Sequence, residues 1–145
     1  MKKILILNGP NLNLLHKRDK SIYGDVSLSR IAAECEKLAK ECDVEVEFQQ
    51  SNSEGDLVDM IQGAIENFDG LIINAAGYTH TSVAIRDALE IFNNPKIELH
   101  ISNIFKREEF RHHSFLSDVV DGVICGLGCN GYAVALRAIS HMVNK

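Results

Sequence analysis

Apolar runs and helical patterns alternate along this chain. Ile4 to Leu7 is a short unbroken apolar run and reads as a buried strand. From Ser27 to about Glu41 apolar positions recur three and four apart, the repeat of one helix face, and the Ser27 hydroxyl suits an N-cap. Val44 to Phe48 alternates with Glu45 and Glu47, which predicts a half-exposed strand near a sheet edge. A second helix is predicted from about Glu54, with Leu57, Ile61, Ile65 and Phe68 turned inward. Leu71 to Ile73 is a short apolar strand ending at Asn74, and a third helix covers Thr81 to Phe92. Ile97 to Ile101 and Gly122 to Cys125 read as the fourth and fifth strands, before a last helix from about Gly131 to Val143.

Strand–helix alternation of this kind implies a parallel sheet covered on both faces, because each parallel crossover needs a connection that a helix supplies. Five strands in 145 residues fit one domain, residues 1–145, of doubly wound α/β class with the flavodoxin-like order 2-1-3-4-5. No internal repeat, linker or low-complexity tract interrupts it. The longest segment without a pattern is Gly9 to Val26, and a loop of that length in a compact domain is usually functional or mobile.

Composition narrows the function. Apolar residues make up 46% of the chain and charged residues 24%, enough for a sizeable core under a polar surface. A formal net charge of -5 argues against a nucleic-acid footprint, which needs a basic stripe. A small anionic substrate remains compatible, since one or two local arginines can hold it. Cys35 and Cys42 are seven apart on one helix face with Leu28, Ile31 and Leu38, and read as buried thiols. Cys125 and Cys129 lack the two-residue gap of common zinc or redox pairs, so four reduced thiols in a cytoplasmic protein are expected. The first apolar run is too short for a signal peptide or a membrane span.

In an open parallel sheet, ligands sit beyond the carboxyl ends of the strands. Those ends here carry Asn8, Asn11 and Asn13, then Asn74 with Thr79 and His80, then Glu98, His100, Ser102 and Asn103. Such polar convergence suits a hydroxylated small molecule. Glu98 and His100 are two apart on a strand and share a face, so the carboxylate can orient the imidazole as a general acid; an incidental ion pair at a solvated strand end explains the pair equally well. Arg18 and Tyr23 lie in the long loop, where a tyrosine becomes a useful base only beside a cation; taken alone, such residues are usually surface groups. His112 and His113 are adjacent and lack the spacing of a helical metal pair. Gly126-Leu127-Gly128-Cys129-Asn130-Gly131 matches G-x-G-x-x-G, but only 14 residues follow Gly131, too few for the further strand and acidic residue of a dinucleotide site. A tight turn and close helix packing explain those glycines.

The same segments resemble a known family. Asn8-Gly9-Pro10-Asn11-Leu12-Asn13-Leu14-Leu15, then Arg18 and Tyr23-Gly24, are similar to the opening of type II dehydroquinases. Gln50-Ser51-Asn52 with Glu54-Gly55, Thr79-His80-Thr81-Ser82 with Arg86-Asp87-Ala88, and His100-Ile101-Ser102-Asn103 running through Arg107 to Ser114 agree in order, as do Gly126-Leu127-Gly128 and Gly131-Tyr132. The resemblance implies cofactor-free dehydration of 3-dehydroquinate to 3-dehydroshikimate in a shikimate-type pathway, by anti elimination through an enolate, with a lid over about residues 9–26. Tyr23 would be the base, beside Arg18. Asn11 would hold a water on the enolate, and His100, held by Glu98, would protonate the leaving hydroxyl. Ile101, Ser102 and Asn74 would receive the substrate carboxylate, while His80, Asp87 and Arg111 would hold the ring hydroxyls. The residue matching Asp87 would come from a neighbouring subunit, in a homododecamer built from trimers. Departures from the pattern are His16 for a common glycine, Asp19-Lys20 for a common Glu-Pro, and Ala75-Ala76-Gly77 in a stretch that often holds proline. None removes a proposed catalytic group.

Two other functions fit the same fold. A flavodoxin-like small-ligand-binding module would want a phosphate-cradling loop after the first strand, where Pro10 instead removes a donor. A receiver domain would need acidic residues where Asn8 and Asn74 stand.

Overall fold

The computed structural model describes the whole chain, Met1–Lys145. Strands β1 (Lys2–Asn8), β2 (Val44–Gln50), β3 (Gly70–Asn74), β4 (Lys96–His100) and β5 (Gly122–Cys125) form one all-parallel sheet in the order β2-β1-β3-β4-β5. This is the expected flavodoxin-like order. Alternate residues of the central strands enter opposite cores. Ile4, Ile6, Ile72, Ile97 and Leu99 face α2 (Leu28–Glu41) and α5 (Gly131–Val143), whereas Leu5, Leu7, Leu71 and Ile73 face α3 (Glu54–Ala64) and α4 (Val83–Ile91). Because both faces are covered, β1 and β3 are apolar without alternation, while edge strand β2 keeps Glu45 and Glu47 exposed.

Helix starts follow the hydroxyl caps. Ser27, Ser53 and Ser82 accept the backbone N–H groups of Arg30, Asp56 and Ile85. The third helix therefore begins at Val83, two residues later than the pattern indicated, because Ser82 occupies the cap. The second helix ends at Ala64, so Ile65 and Phe68 lie beyond it. Both still pack on the α3–α4 core, through a turn closed by Asn67, whose side chain donates to the Gly63 carbonyl at 2.7 Å.

Gly9 to Val26 is more ordered than its lack of pattern implied. It contains a 3₁₀ segment (Leu12–Lys17) and the one-turn helix α1 (Lys20–Tyr23), capped by Asp19. Leu12, Leu15 and Tyr23 are buried in the α2–α5 core. Pieces this short show no periodicity in sequence. The glycine run makes a tight turn, with Gly126 and Gly128 at φ of 85° and 65°. A Cβ on Gly131 would stand 3.0 Å from the end of the Leu99 side chain, so glycine lets α5 start close to the sheet without displacing it. Cys35 is buried as expected, but Cys42 is only half-buried, because it caps the end of α2; all four cysteines are free thiols.

Candidate active site

The carboxyl ends of β1, β3 and β4 open onto a cavity of about 120 Å³. Its wall brings together Asn11, Arg18, Tyr23, Asn74, His80, His100, Ile101, Ser102 and Arg111, groups spread over some hundred positions of sequence. The turn after β1 passes hard against the turn after β3: the Gly9 N–H donates to the Asn74 carbonyl at 2.8 Å, and a Cβ on Gly9 would lie 2.4 Å from the Ala75 carbonyl oxygen. Asn11 takes a left-handed conformation at φ 70°, with its N–H donated to the Asn52 side chain at 3.0 Å. Ala76, also left-handed at φ 54°, donates its N–H to Oδ1 of Asn74.

Glu98 and His100 lie on one face of β4 and are both buried. The His100 Nε2 and Glu98 Oε2 are 2.5 Å apart. Ser114 donates to Oε2 at 3.0 Å and Ser117 to Oε1 at 2.7 Å, so the carboxylate is fully engaged. Burial pushes the Glu98 carboxyl up, but the hydrogen bond and charge of His100 with the two hydroxyls hold it below the usual range. An ionised Glu98 accepts the Nε2–H of His100 and leaves Nδ1 as the ring nitrogen that a ligand can meet. His80 stacks near His100, ring centroids 6.3 Å apart. Its Nδ1 donates to the His113 carbonyl at 2.8 Å, and burial first of all lowers its pKa, which leaves neutral Nε2 as an acceptor.

The Tyr23 hydroxyl accepts two charge-assisted hydrogen bonds, from Arg18 Nη2 and from Arg107 Nη1, both at 2.7 Å. The Arg18 guanidinium also stacks over the Tyr23 ring, 4.0 Å from its centroid. Two guanidinium groups on one phenol oxygen supply the positive charge that a tyrosine needs beside it to serve as a base. Arg107 reaches it from 84 positions away and also contacts the Ser102 hydroxyl at 3.4 Å.

The profile of the family described as dehydroquinase class II matches residues 2–140. The chain belongs to that family. A relative from Tolumonas auensis named 3-dehydroquinate dehydratase is 57% identical, over 97% of this chain and 93% of its own. One of the same name from Endomicrobium trichonymphae is 55% identical, over 99% of this chain and all of its own. Among solved structures, the type II dehydroquinase of Butyrivibrio crossotus superposes with a TM-score of 0.92 at 46% identity, covering 99% of this chain and 98% of that one. That of Propionibacterium acnes gives 0.94 at 42%, covering 97% of each.

In this dehydroquinase two site candidates, Glu98 and Asp87, stay out of the cavity wall, and Asp87 is the one turned to solvent. It is exposed on α4 and does not line the cavity of its own chain. Glu98 stands behind His100 and not in the wall. Sequence reasoning gave no role to Arg107, Ser114 or Ser117. Arg107 and Ser114 fall within a matched block, but no local spacing ties an arginine to a tyrosine 84 residues earlier. His112 and His113 are exposed, and no three His, Cys, Asp or Glu side chains converge on a point that could hold a metal ion.

Proposed function

We propose that this chain dehydrates 3-dehydroquinate to 3-dehydroshikimate by anti elimination through an enolate, a step of the shikimate pathway towards aromatic amino acids. The observation that carries the reading is a tyrosine hydroxyl held by two guanidinium groups in the same small cavity as a carboxylate-oriented histidine.

The Tyr23 phenolate takes a proton from the carbon beside the ketone. The electron pair moves onto the ketone oxygen, giving an enolate stabilised through a water held by Asn11. As the enolate collapses, the bond to the leaving hydroxyl breaks, and His100, acting as the imidazolium with Nε2–H kept on Glu98, gives its Nδ1 proton to turn it into water. The proton gained by Tyr23 then returns the imidazole to its starting state through solvent. Glu98 holds the imidazole, and Arg18 and Arg107 stabilise the phenolate. Ile101, Ser102 and Asn74 receive the substrate carboxylate, and His80 and Arg111 the ring hydroxyls. Acid, base and oxyanion donor complete this chemistry without a cofactor. The segment 9–26, which carries Arg18 and Tyr23, serves as the lid.

Exposed Asp87 completes a neighbouring copy's site, in trimers that assemble to a homododecamer. The free thiols fit the reducing cytoplasm as its place of work. No helix is long and apolar enough to cross a membrane. A flavodoxin-like binding module is disfavoured because Pro10 takes the place of a phosphate-binding N–H.

Dehydration creates a conjugated enone, so the test is ultraviolet absorbance of purified protein mixed with 3-dehydroquinate. A rising signal that Tyr23→Phe loses by at least a thousandfold, with the fold intact by circular dichroism, is expected. A flat trace from folded wild type overturns the reaction. A Tyr23→Phe enzyme at wild-type rate removes Tyr23 from it.

A further inference from the structure

Behind the cavity wall lies a buried relay that the reaction as written does not use. The Tyr132 hydroxyl, on the first turn of α5, lies 2.6 Å from Oδ1 of Asn8 and 2.9 Å from Nδ2 of Asn74. All three residues are buried. The two ends of the relay are backbone groups whose roles cannot change. The Gln49 carbonyl can only accept, so Asn8 must present Nδ2 to it, at 3.0 Å, and Oδ1 to Tyr132. The Ala76 N–H can only donate, so Asn74 must turn Oδ1 to it, at 3.3 Å, and Nδ2 to Tyr132. The Tyr132 hydroxyl has one proton, and with Asn8 taking it the oxygen must accept from Asn74. Every group thus has one direction. Burial pushes the Tyr132 phenol well up, so it stays protonated and the direction holds across the working pH range.

The consequence appears at Asn74, which lines the cavity. One N–H of its amide goes to Tyr132, and the second has no partner in the chain. A free amide rotor could offer a ligand either oxygen or nitrogen. A locked one offers only a donor.

We infer that Tyr132 is a positioning residue that, through Asn74, makes this side of the cavity a donor site selective for the substrate carboxylate. The inference rests on the proposed dehydration, in which Asn74 receives that carboxylate, and it adds how a neutral amide is committed to an anion. Gly131, the residue before Tyr132, packs closely against Leu99 of β4 at the start of α5. The Tyr132 ring meets Phe48, with centroids 6.0 Å apart, and that contact survives in phenylalanine.

The test is kinetic, with Tyr132→Phe, Asn74→Ala and the double variant. Tyr132→Phe is expected to raise KM for 3-dehydroquinate roughly tenfold with kcat within about twofold, the size of one weakened hydrogen bond to a charged group. On the Asn74→Ala background the same change should add nothing, because its only route to the substrate is gone. Equal rises in KM on both backgrounds, or no rise in either, overturn the relay. Should Tyr132→Phe fail to fold, Asn8→Ala removes the acceptor that sets the direction and should raise KM alike; an unchanged KM there overturns the inference. Calorimetric binding of 3-dehydroshikimate, and of an analogue with hydroxymethyl in place of the carboxylate, separates this from the function itself. Loss confined to the carboxylate ligand supports the relay, and equal loss of both overturns it. Wild-type protein that binds 3-dehydroshikimate without turning over 3-dehydroquinate overturns the reaction and leaves the relay to the binding contrast.

Discussion

Glu98 and His80 lie within reach of the same cavity, and opposite effects win at each. At His80 burial is the largest influence, and it holds the ring below its ordinary 6.5. At Glu98 burial is also largest, yet His100, Ser117 and Ser114 together outweigh it and the carboxyl falls below its ordinary 4.5. A folded value below the unfolded one means that the unfolded chain binds the proton first. The stabilisation is therefore complete above pH 4.5 and is lost as pH falls through the lower folded value. Glu98→Gln removes that dependence, so its melting temperature should fall less steeply than that of wild type below pH 4.5; parallel curves would count against a paired carboxylate. The same variant loses the anion that orients His100, and kcat should drop roughly a hundredfold. An unchanged kcat would leave Glu98 a structural group only.

Short helical starts and turns decide where the elements place their side chains. Ser82 caps α4 and sets the register that exposes Asp87 while burying Ile85, Ala88 and Leu89. Ser82→Ala should cost about 1 kcal/mol, which at this chain length lowers the melting temperature by roughly 2–4 °C. An unchanged melting curve would show that the hydroxyl holds nothing. Gly9 shows the same dependence at closer range. A Cβ there would collide with backbone, not with a side chain that could swing away, so the turns bearing Asn11 and Asn74 can approach only through glycine.

In the proposed shared site, assembly bears on activity through Asp87, an exposed acidic residue with no place in its own chain's cavity. If a neighbouring copy receives it, Asp87→Ala lowers kcat/KM at least tenfold and loosens the trimer, seen as a lower mass by light scattering. Mixing is the sharper measurement. Oligomers of Asp87→Ala and of Tyr23→Phe, each weakly active, should regain activity when dissociated and reassembled together, because mixed contacts unite an intact tyrosine with an intact aspartate. No regain of activity, with unchanged kinetics and mass in Asp87→Ala alone, would make every site self-contained.

By itself the sequence determined what depends on short-range regularity. Apolar runs and three-and-four spacing located all five strands and the long helices, and the i, i+2 spacing put Glu98 beside His100, because strand geometry alone places those side chains on one face. Matching blocks named most of the residues that line the cavity. Tertiary structure decided the rest. The helical turns within residues 9–26 form because Leu12, Leu15 and Tyr23 find a core to enter, and fragments that short carry no periodic signal of their own. Arg107 on Tyr23, the two serines on Glu98, and Tyr132 between Asn8 and Asn74 are contacts across 16 to 124 positions of chain. Such hydrogen bonds depend on ångström-scale approach and on which groups have already found partners, and both are settled only when the sheet and its helices have packed.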